Sequence, residues 1–470
     1  MSRSKKLYIL LGVFVVACVA TLAVTQIAER KEQIKNSGET ILELPSESVQ
    51  SLSWEYNGEV LSFLKGEVWI YSEDENFPVS EDKINELLEQ FQPLSAAFVI
   101  EEAEDFGQYG LDNPVCTIHL TTEEQSYEIK LGDFSKMDSQ RYVSIWDGNV
   151  YLVQNDPLDQ FDAVLSDMIA HDEMPDFDQV TSIQFSGAQD YAVSYEEDSS
   201  NTYCAEDVYF TRRGEKSLPL DTERVDSYLR KISNLNPTNY VTYNVTDGEL
   251  TAYGLDTPEL TVTVEYTPKD EERAEVFVLH ISRDPEEIKK PSDEDDGGDE
   301  TVTAYLRVDQ SPIIYQISSD QYKDLMAASY DDLRHLEVFT ADFADVRQID
   351  ISLEGDSYTL TSEEKGKERA WSCQEEELEI DDLKATLEAL RADEFTSEKP
   401  SQKEEIGLTI HLDNEHFPEV QIELYRYDGS RCLAVVNGES VSFVKRTDVV
   451  SLIEAIHSIV LGGDESDSSS

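Results

Sequence analysis

The sequence predicts an α+β fold, with an N-terminal transmembrane helix followed by three tandem, mostly antiparallel α+β repeat modules. Three observations carry this. An uncharged apolar run stands near the N-terminus. The phrase Tyr-Gly-Leu-Asp-x-Pro is written twice, as QYGLDNP at 108–114 and AYGLDTP at 252–258. Around each copy, apolar residues alternate with period two in short runs and recur at i, i+3, i+4, i+7 in longer ones, the signatures of strands and of amphipathic helices.

The 470 residues suffice for two or three domains, and 39% hydrophobic residues with 23 tyrosines can fill their cores. The formal net charge is −62, from 99 acidic against 37 basic residues. Such a field repels phosphate backbones and excludes nucleic acid as a partner. It also repels anionic lipid surfaces. It suits solubility, weak binding of divalent cations or a basic partner. Cys116, Cys204, Cys373 and Cys432 are far apart with no C-x-x-C pair, unlike a zinc motif or a disulfide framework. Cys116 and Cys432 sit in strand-like runs and read as small buried hydrophobes.

The chain opens with a basic tip, residues 1–6, carrying Arg3, Lys5 and Lys6. Residues 7–28 are uncharged and mostly apolar, meeting the roughly 20 residues that cross a hydrocarbon core. They read as an uncut signal anchor with the bulk of the chain extracytoplasmic. Val15-Val16-Ala17-Cys18 offers an alternative, a lipoprotein anchored at Cys18, but the apolar run continues well past that cysteine. Basic residues flank both ends of the span, so the positive-inside count is nearly balanced. Residues 29–45 read as a polar stalk.

Module 1 spans 46–170, module 2 spans 177–337 and a divergent module 3 spans 343–461. Each opens with a strand pair: VQSLSWEYNGEVLSFLKG, VTSIQFSGAQDYAVSYEE and VRQIDISLEGDSYTLTSEE. A strand, a turn and an amphipathic helix follow. Ile84, Leu87, Leu88 and Phe91 keep helical spacing, and Val225, Tyr228, Leu229 and Ile232 repeat it. Ser80 and Asp221 stand at the N-cap; Lys83 three residues after Ser80 rules out a capping box there. A second strand pair follows, then a closing strand and helix. Thr-Ile-His-Leu occurs at 117–120 and again at 409–412, which aligns module 3 with module 1 and sets Gln402 opposite Gly110 and Ile406 opposite Pro114. Residues 283–300 in module 2 read as an acidic, solvated loop, and 462–470 as a disordered tail.

The repeated phrase reads as a structural corner. Gly110 and Gly254 end short helical turns in the left-handed conformation. Leu111 and Leu255 take the buried position that follows such a cap. Asp112 and Asp256 can close Asx turns. Pro114 and Pro258 start the next strand. Tyr109 and Tyr253 offer a ring to the core and a hydroxyl to one partner. A tyrosine and one carboxylate make no acid–base constellation.

An aromatic strand, a helix, then YGLD-x-P opening a strand pair, all behind an N-terminal membrane anchor, resembles the bacterial domain-of-unknown-function family DUF4340. The resemblance covers nearly all of 46–337 and, more weakly, 343–461, where module 3 lacks the phrase. It implies extracytoplasmic, membrane-tethered proteins working beside ABC-type exporters and gliding-motility-like auxiliary subunits, with an ABC permease or auxiliary membrane subunit as partner. It carries over no catalytic residues.

No phosphate-binding loop, dinucleotide fingerprint, H-E-x-x-H or G-x-S-x-G motif occurs. His411 and His416 flank a hairpin turn, where a metal pair is conceivable but surface turn histidines are the commoner case. The acidic residues at 292–300 do not keep the EF-hand register. The expected function is that of a non-enzymatic accessory or scaffold protein, with no catalytic, cofactor or metal residues assigned. The alternatives are an envelope hydrolase with its site between modules, and a surface that binds cations or a polymer.

Overall fold

A computed structural model of the chain describes residues 38–288, 302–365, 368–374 and 376–461. The basic tip, the expected span 7–28 with Cys18, residues 289–300 of the acidic loop and the tail 462–470 lie outside the described residues. Among the described residues, no helix is long and apolar enough to cross a membrane.

The described residues form an α+β fold with three nine-stranded sheets, in which every pair of neighbouring strands is antiparallel. Module 1 contributes β1 (Glu39–Leu42), β2 (Val49–Tyr56), β3 (Glu59–Lys65), β4 (Trp69–Tyr71), β5 (Leu94–Ile100), β6 (Cys116–Thr122), β7 (Ser126–Ser135), β8 (Gln140–Ser144) and β9 (Val150–Val153). Module 2 contributes β10 (Gln179–Gly187), β11 (Tyr191–Tyr195), β12 (Tyr209–Arg213), β13 (Lys216–Pro219), β14 (Tyr240–Thr242), β15 (Leu260–Thr267), β16 (Glu275–Arg283), β17 (Ala304–Val308) and β18 (Ile314–Ile317). Module 3 contributes β19 (Val346–Leu353), β20 (Asp356–Lys365), β21 (Glu368–Cys373), β22 (Glu376–Leu378), β23 (Ala392–Phe395), β24 (Glu404–Leu412), β25 (Glu419–Arg426), β26 (Arg431–Val436) and β27 (Glu439–Lys445).

One strand order is built three times: β5-β9-β8-β7-β6-β2-β3-β4, then β14-β18-β17-β16-β15-β10-β11-β12, then β23-β27-β26-β25-β24-β19-β20-β21. The remaining strand differs. Module 1 adds β1 beside β5, whereas modules 2 and 3 add β13 and β22 at the opposite edge. The likeness extends to a defect. The register of the first strand slips once, between Val49 and Ser51, between Val180 and Ser182, and between Val346 and Gln348. A bulge at that point absorbs one residue. The buried positions therefore run Val49, Leu52, Trp54, then Val180, Ile183, Phe185, then Val346, Ile349, Ile351, each with the same three-residue first step.

The helices sit where the apolar spacing predicts. Helix α1 (Glu81–Glu89) buries Ile84, Leu87 and Leu88, with Ser80 Oγ accepting from the Lys83 amide at 3.3 Å. Helix α2 (Thr222–Ser233) buries Val225, Tyr228, Leu229 and Ile232, and Asp221 caps it by accepting from the Glu223 and Arg224 amides. The Tyr228 hydroxyl donates to Leu325 O at 2.9 Å and so joins α2 to α3 (Ser319–Met326). In module 3, Leu383 and Leu387 of α4 (Asp381–Glu388) share one core with Val449, Leu452 and Ile456 of α5 (Arg446–Leu461). The closing helix of module 1 is reduced to short turns, yet Phe161 there still reaches Trp54 and Phe91, with ring centres 5.6 and 5.7 Å away.

Residues 38–45 differ from the expected stalk. Glu39–Leu42 is the edge strand β1, paired with β5, and the buried Leu44 donates its amide to Phe91 O at 2.8 Å. The first residues of the acidic loop are folded too. Arg283 ends β16, and residues Pro285–Ile288 form one helical turn.

Contacts divide the described residues into two compact units, with the division between His171 and Asp172, so that modules 2 and 3 form one body. The connector into module 3, residues 334–342, which takes in the last four residues of module 2, explains why. Val338 donates to Leu390 O at 3.0 Å and Ala392 donates to Leu336 O at 2.7 Å, so the connector pairs with module 3 like a strand. The Arg334 guanidinium lies 3.5 Å from the Phe395 ring centre and donates to Val441 O at 3.2 Å. Tyr203 of module 2 packs on Phe339 of the connector and Phe417 of module 3.

Candidate functional site

The repeated phrase forms a helix-to-strand corner in both copies. Gly110 and Gly254 have φ of 73° and 69° and end short 3-10 turns. Leu111 donates its amide to Phe106 O at 3.1 Å, and Leu255 donates to Leu250 O at 3.0 Å, which closes a six-residue cap. Both leucines are buried. The left-handed conformation and the crowding both require glycine. A Cβ on Gly110 would lie 2.7 Å from the Asp133 side chain and 2.9 Å from its amide nitrogen; one on Gly254 would lie 2.7 Å from Ser282 Oγ. Tyr109 packs on Tyr142 and Tyr253 on Tyr305, with ring centres 4.9 and 5.1 Å apart.

Two expectations for the corner change. Asp112 and Asp256 are exposed, and among the described residues their carboxylates accept no hydrogen bond, so no Asx turn forms. Pro114 and Pro258 stand two residues ahead of β6 and β15 instead of inside them. In module 3 the corner is absent because β24 begins early, at Glu404, and buries Ile406 in the place of Pro114. The phrase residues bring no reactive groups together.

The groups that do converge lie elsewhere, at the joint between modules 2 and 3. The loop from β11 to β12 is much longer in module 2 than its counterpart in module 1. It is closed by the Glu196 amide donating to Val208 O at 2.8 Å. Inside it, Thr202 Oγ1 donates to Asp207 Oδ2 at 2.6 Å and accepts from the Cys204 amide at 3.0 Å. Thr222, in the first turn of α2, pins the loop from outside, accepting from the Val208 amide and donating to Glu206 O. The other half of the site is the connector. His335 Nε2 lies 2.7 Å from Asp207 Oδ1, and its Nδ1 lies 3.8 Å from Oδ2 of Asp221, the α2 cap. The Asp207 side chain is 1% exposed, His335 20% and Asp221 18%. Donor atoms of Cys204, Asp207 and His335 all lie within 4.8 Å of one another, and those of Asp221, His335 and Glu337 form a second such group.

The electrostatics follow from this arrangement. Burial opposes charge on His335, but the hydrogen bond and charge of Asp207, with Asp221 and Glu337 behind, outweigh it and raise the imidazole's pKa. Burial, then the Asp207 charge, pushes the Cys204 thiol up to about 12. A nucleophilic cysteine needs the opposite, a lowered pKa and a free imidazole lone pair. Here both ring nitrogens face carboxylates. The set can act as a buried ion pair or as a ligand set for a metal.

The remaining candidates stay apart. His411 Nε2 lies 2.8 Å from Asp350 Oδ2 on the face of the module 3 sheet, while the His416 amide serves the turn through Asn414 Oδ1. Cys116 and Cys432 are buried, and their thiols are pushed up to about 12, chiefly by that burial. A groove of about 380 Å³ between α2 and α3 is lined by Arg230 and the half-exposed Lys231–Asp324 pair, with no imidazole or thiol beside them. Sequence reasoning reached Asp221 only as a cap and missed Cys204, Asp207, His335 and Glu337. The available signal was the length of the 196–208 loop once the modules are aligned.

A family model described as "Domain of unknown function (DUF4340)" matches residues 69–207 and again residues 211–410. The matches start in equivalent strands, β4 and β12; the first runs through module 1 into the loop after β11, and the second runs through module 2 into β24 of module 3. No curated protein and no solved structure matches the chain. With most of its length covered by these two matches, the chain belongs to the DUF4340 family.

Proposed function

We propose that this protein is a membrane-tethered, extracytoplasmic accessory or scaffold protein without enzymatic activity, held at the membrane by residues 7–28 and associated with an ABC-type export or gliding-motility-like system. Repetition carries this reading: one strand order is built three times, and its most distinctive side chains pack a corner. A module built three times offers the same kind of surface three times, which suits holding a partner more than enclosing a substrate. The apolar span supports the tether. The envelope-hydrolase reading has less support, since the thiol at the module joint is held protonated and its imidazole is engaged on both sides.

Fractionation and partner isolation test the two parts separately. The full chain is expected to stay with membranes through an alkaline carbonate wash and to be digested by protease added outside spheroplasts. Release by carbonate, or protection from that protease, overturns the tether. Purification in mild detergent is expected to recover an ABC permease or auxiliary membrane subunit. Repeated recovery of the chain alone overturns the accessory role.

A further inference from the structure

We propose that Cys204, Asp207 and His335 form a binding site for a divalent transition metal, zinc(II) foremost, at the joint between modules 2 and 3. Three features carry this. The first is the donor set. A sulfur, an imidazole nitrogen and a carboxylate oxygen converge within 4.8 Å from a loop and from a connector more than a hundred residues further on. Soft sulfur with nitrogen selects zinc-like metals, whereas calcium and magnesium take oxygen alone.

The second is the surrounding shell. Thr202 Oγ1 occupies Asp207 Oδ2 and leaves Oδ1 aimed at the imidazole. Asp221 stands beside the other ring nitrogen and is itself fixed by the two α2 amides it caps. A carboxylate behind a ligating histidine is the arrangement that orients imidazole at metal sites. The third is burial. Asp207 is almost wholly enclosed, so its charge needs a permanent partner, and exposed carboxylates that gather by chance lack this enclosure.

The 2.7 Å separation of His335 Nε2 and Asp207 Oδ1 is that of a shared proton. A metal taking that proton's place, with nitrogen and oxygen each at about 2.0 Å, needs the pair to open to roughly 3.3 Å in tetrahedral geometry. The shared proton and the Cys204 thiol proton both leave to solvent, Cys204 ligates as thiolate, and water completes the shell. The bound ion ties the 196–208 loop to the connector and so reinforces the joint.

The test uses the full chain, free of affinity tags, in detergent and stripped of metal with a chelator that is then removed. Calorimetric titration with zinc chloride is expected to show one equivalent bound, and cobalt(II) to give a thiolate charge-transfer band. Cys204→Ser and His335→Gln are each expected to weaken zinc at least about tenfold, and Cys204→Ser to abolish that band. Asp221→Asn is expected to weaken it about tenfold through the orienting carboxylate. Zinc should raise the unfolding midpoint of the wild type but not of His335→Gln. Circular dichroism confirms that each variant is folded, and Cys204→Ser, the least disruptive, decides the matter if His335→Gln does not fold. The proposal falls if the folded wild type binds no stoichiometric zinc, or if Cys204→Ser retains wild-type affinity and the cobalt band.

Discussion

The corner at Gly254 and the cluster at His335 belong to the same compact unit and are built on opposite principles. The corner is local. Its cap runs from Leu250 to Leu255, and each residue's task follows from its immediate neighbours. The cluster joins residues 128 positions apart and has no local pattern. The corner recurs in module 1 because the same backbone turn is needed there, and it vanishes from module 3 where β24 starts early, at Glu404, and takes the place of the turn. The cluster occurs where the 196–208 loop of module 2 meets the connector. A repeated feature that geometry can replace is scaffold; a cluster that encloses charge at a joint is the better place to look for chemistry.

The largest expected effect breaks the corner. Gly110→Val forces a β-branched residue into the left-handed region and into the Asp133 backbone, which is expected to cost about 4 kcal/mol. Urea unfolding of the full chain reads it, and a loss below about 1 kcal/mol would show that the turn can be rebuilt without glycine. Gly254→Val should behave alike while leaving zinc stoichiometry intact, which separates scaffold from site. Next comes Asp207→Ala in chelator-treated protein. Removing one partner strands His335 in a mostly buried position, with an expected loss of about 3 kcal/mol. A neutral result would mean that the pair is solvated and that burial is not what distinguishes the joint.

Much of the fold was legible for the same reason the corner was. Alternating strands, the helix spacing of Ile84 to Leu88 and the caps at Ser80 and Asp221 are short-range, and each appears where the sequence places it. The bulge could have been read as well, since Val-x-x-[Leu/Ile] opens all three first strands and breaks their alternation at one point. Strand β1 escaped because a four-residue edge strand takes its definition from its partner β5. The Asx turns failed because the residue two positions on is Pro114 or Pro258, which has no N–H to donate. The site was illegible because Asp207 and His335 lie 128 positions apart and meet only in the folded chain, and nothing near either residue announces the other.

A smaller effect tests whether the corner of module 2 holds charge of its own. Glu259 follows Pro258 and accepts from the Arg283 amide and guanidinium at 2.7–3.2 Å and from the Tyr322 hydroxyl at 2.9 Å. Burial pushes its carboxyl upward, but those bonds and the Arg283 charge outweigh it and hold the pKa below the ordinary range. The stability this contributes is fully present above the unfolded value of about 4.3 and is lost as pH falls through the lower folded value. Glu259→Gln is expected to cost about 1 kcal/mol at pH 7 and to flatten stability against pH below about 4.5. An unchanged acid limb would assign the acid sensitivity to other carboxylates.

The smallest effect comes from repeating the chemistry of the joint without its burial. His411 and Asp350 meet at 2.8 Å, nearly the separation of His335 and Asp207, yet the Asp350 side chain is 39% exposed where Asp207 is 1%. Burial pushes the Asp350 carboxyl up, but hydrogen bonds from Thr359, His411 and Gln348 together hold it below the usual range. Losing one of three donors leaves the carboxylate solvated and still bonded, so His411→Gln is expected to change stability by less than about 1 kcal/mol. Zinc stoichiometry should be unaffected. A loss as large as that of Asp207→Ala, measured in the same urea titration, would show that the hydrogen bond itself is decisive and would remove the reason for singling out the joint. A small loss beside a large one would show that enclosure of Asp207 turns an ordinary histidine–carboxylate pair into a group that needs a partner.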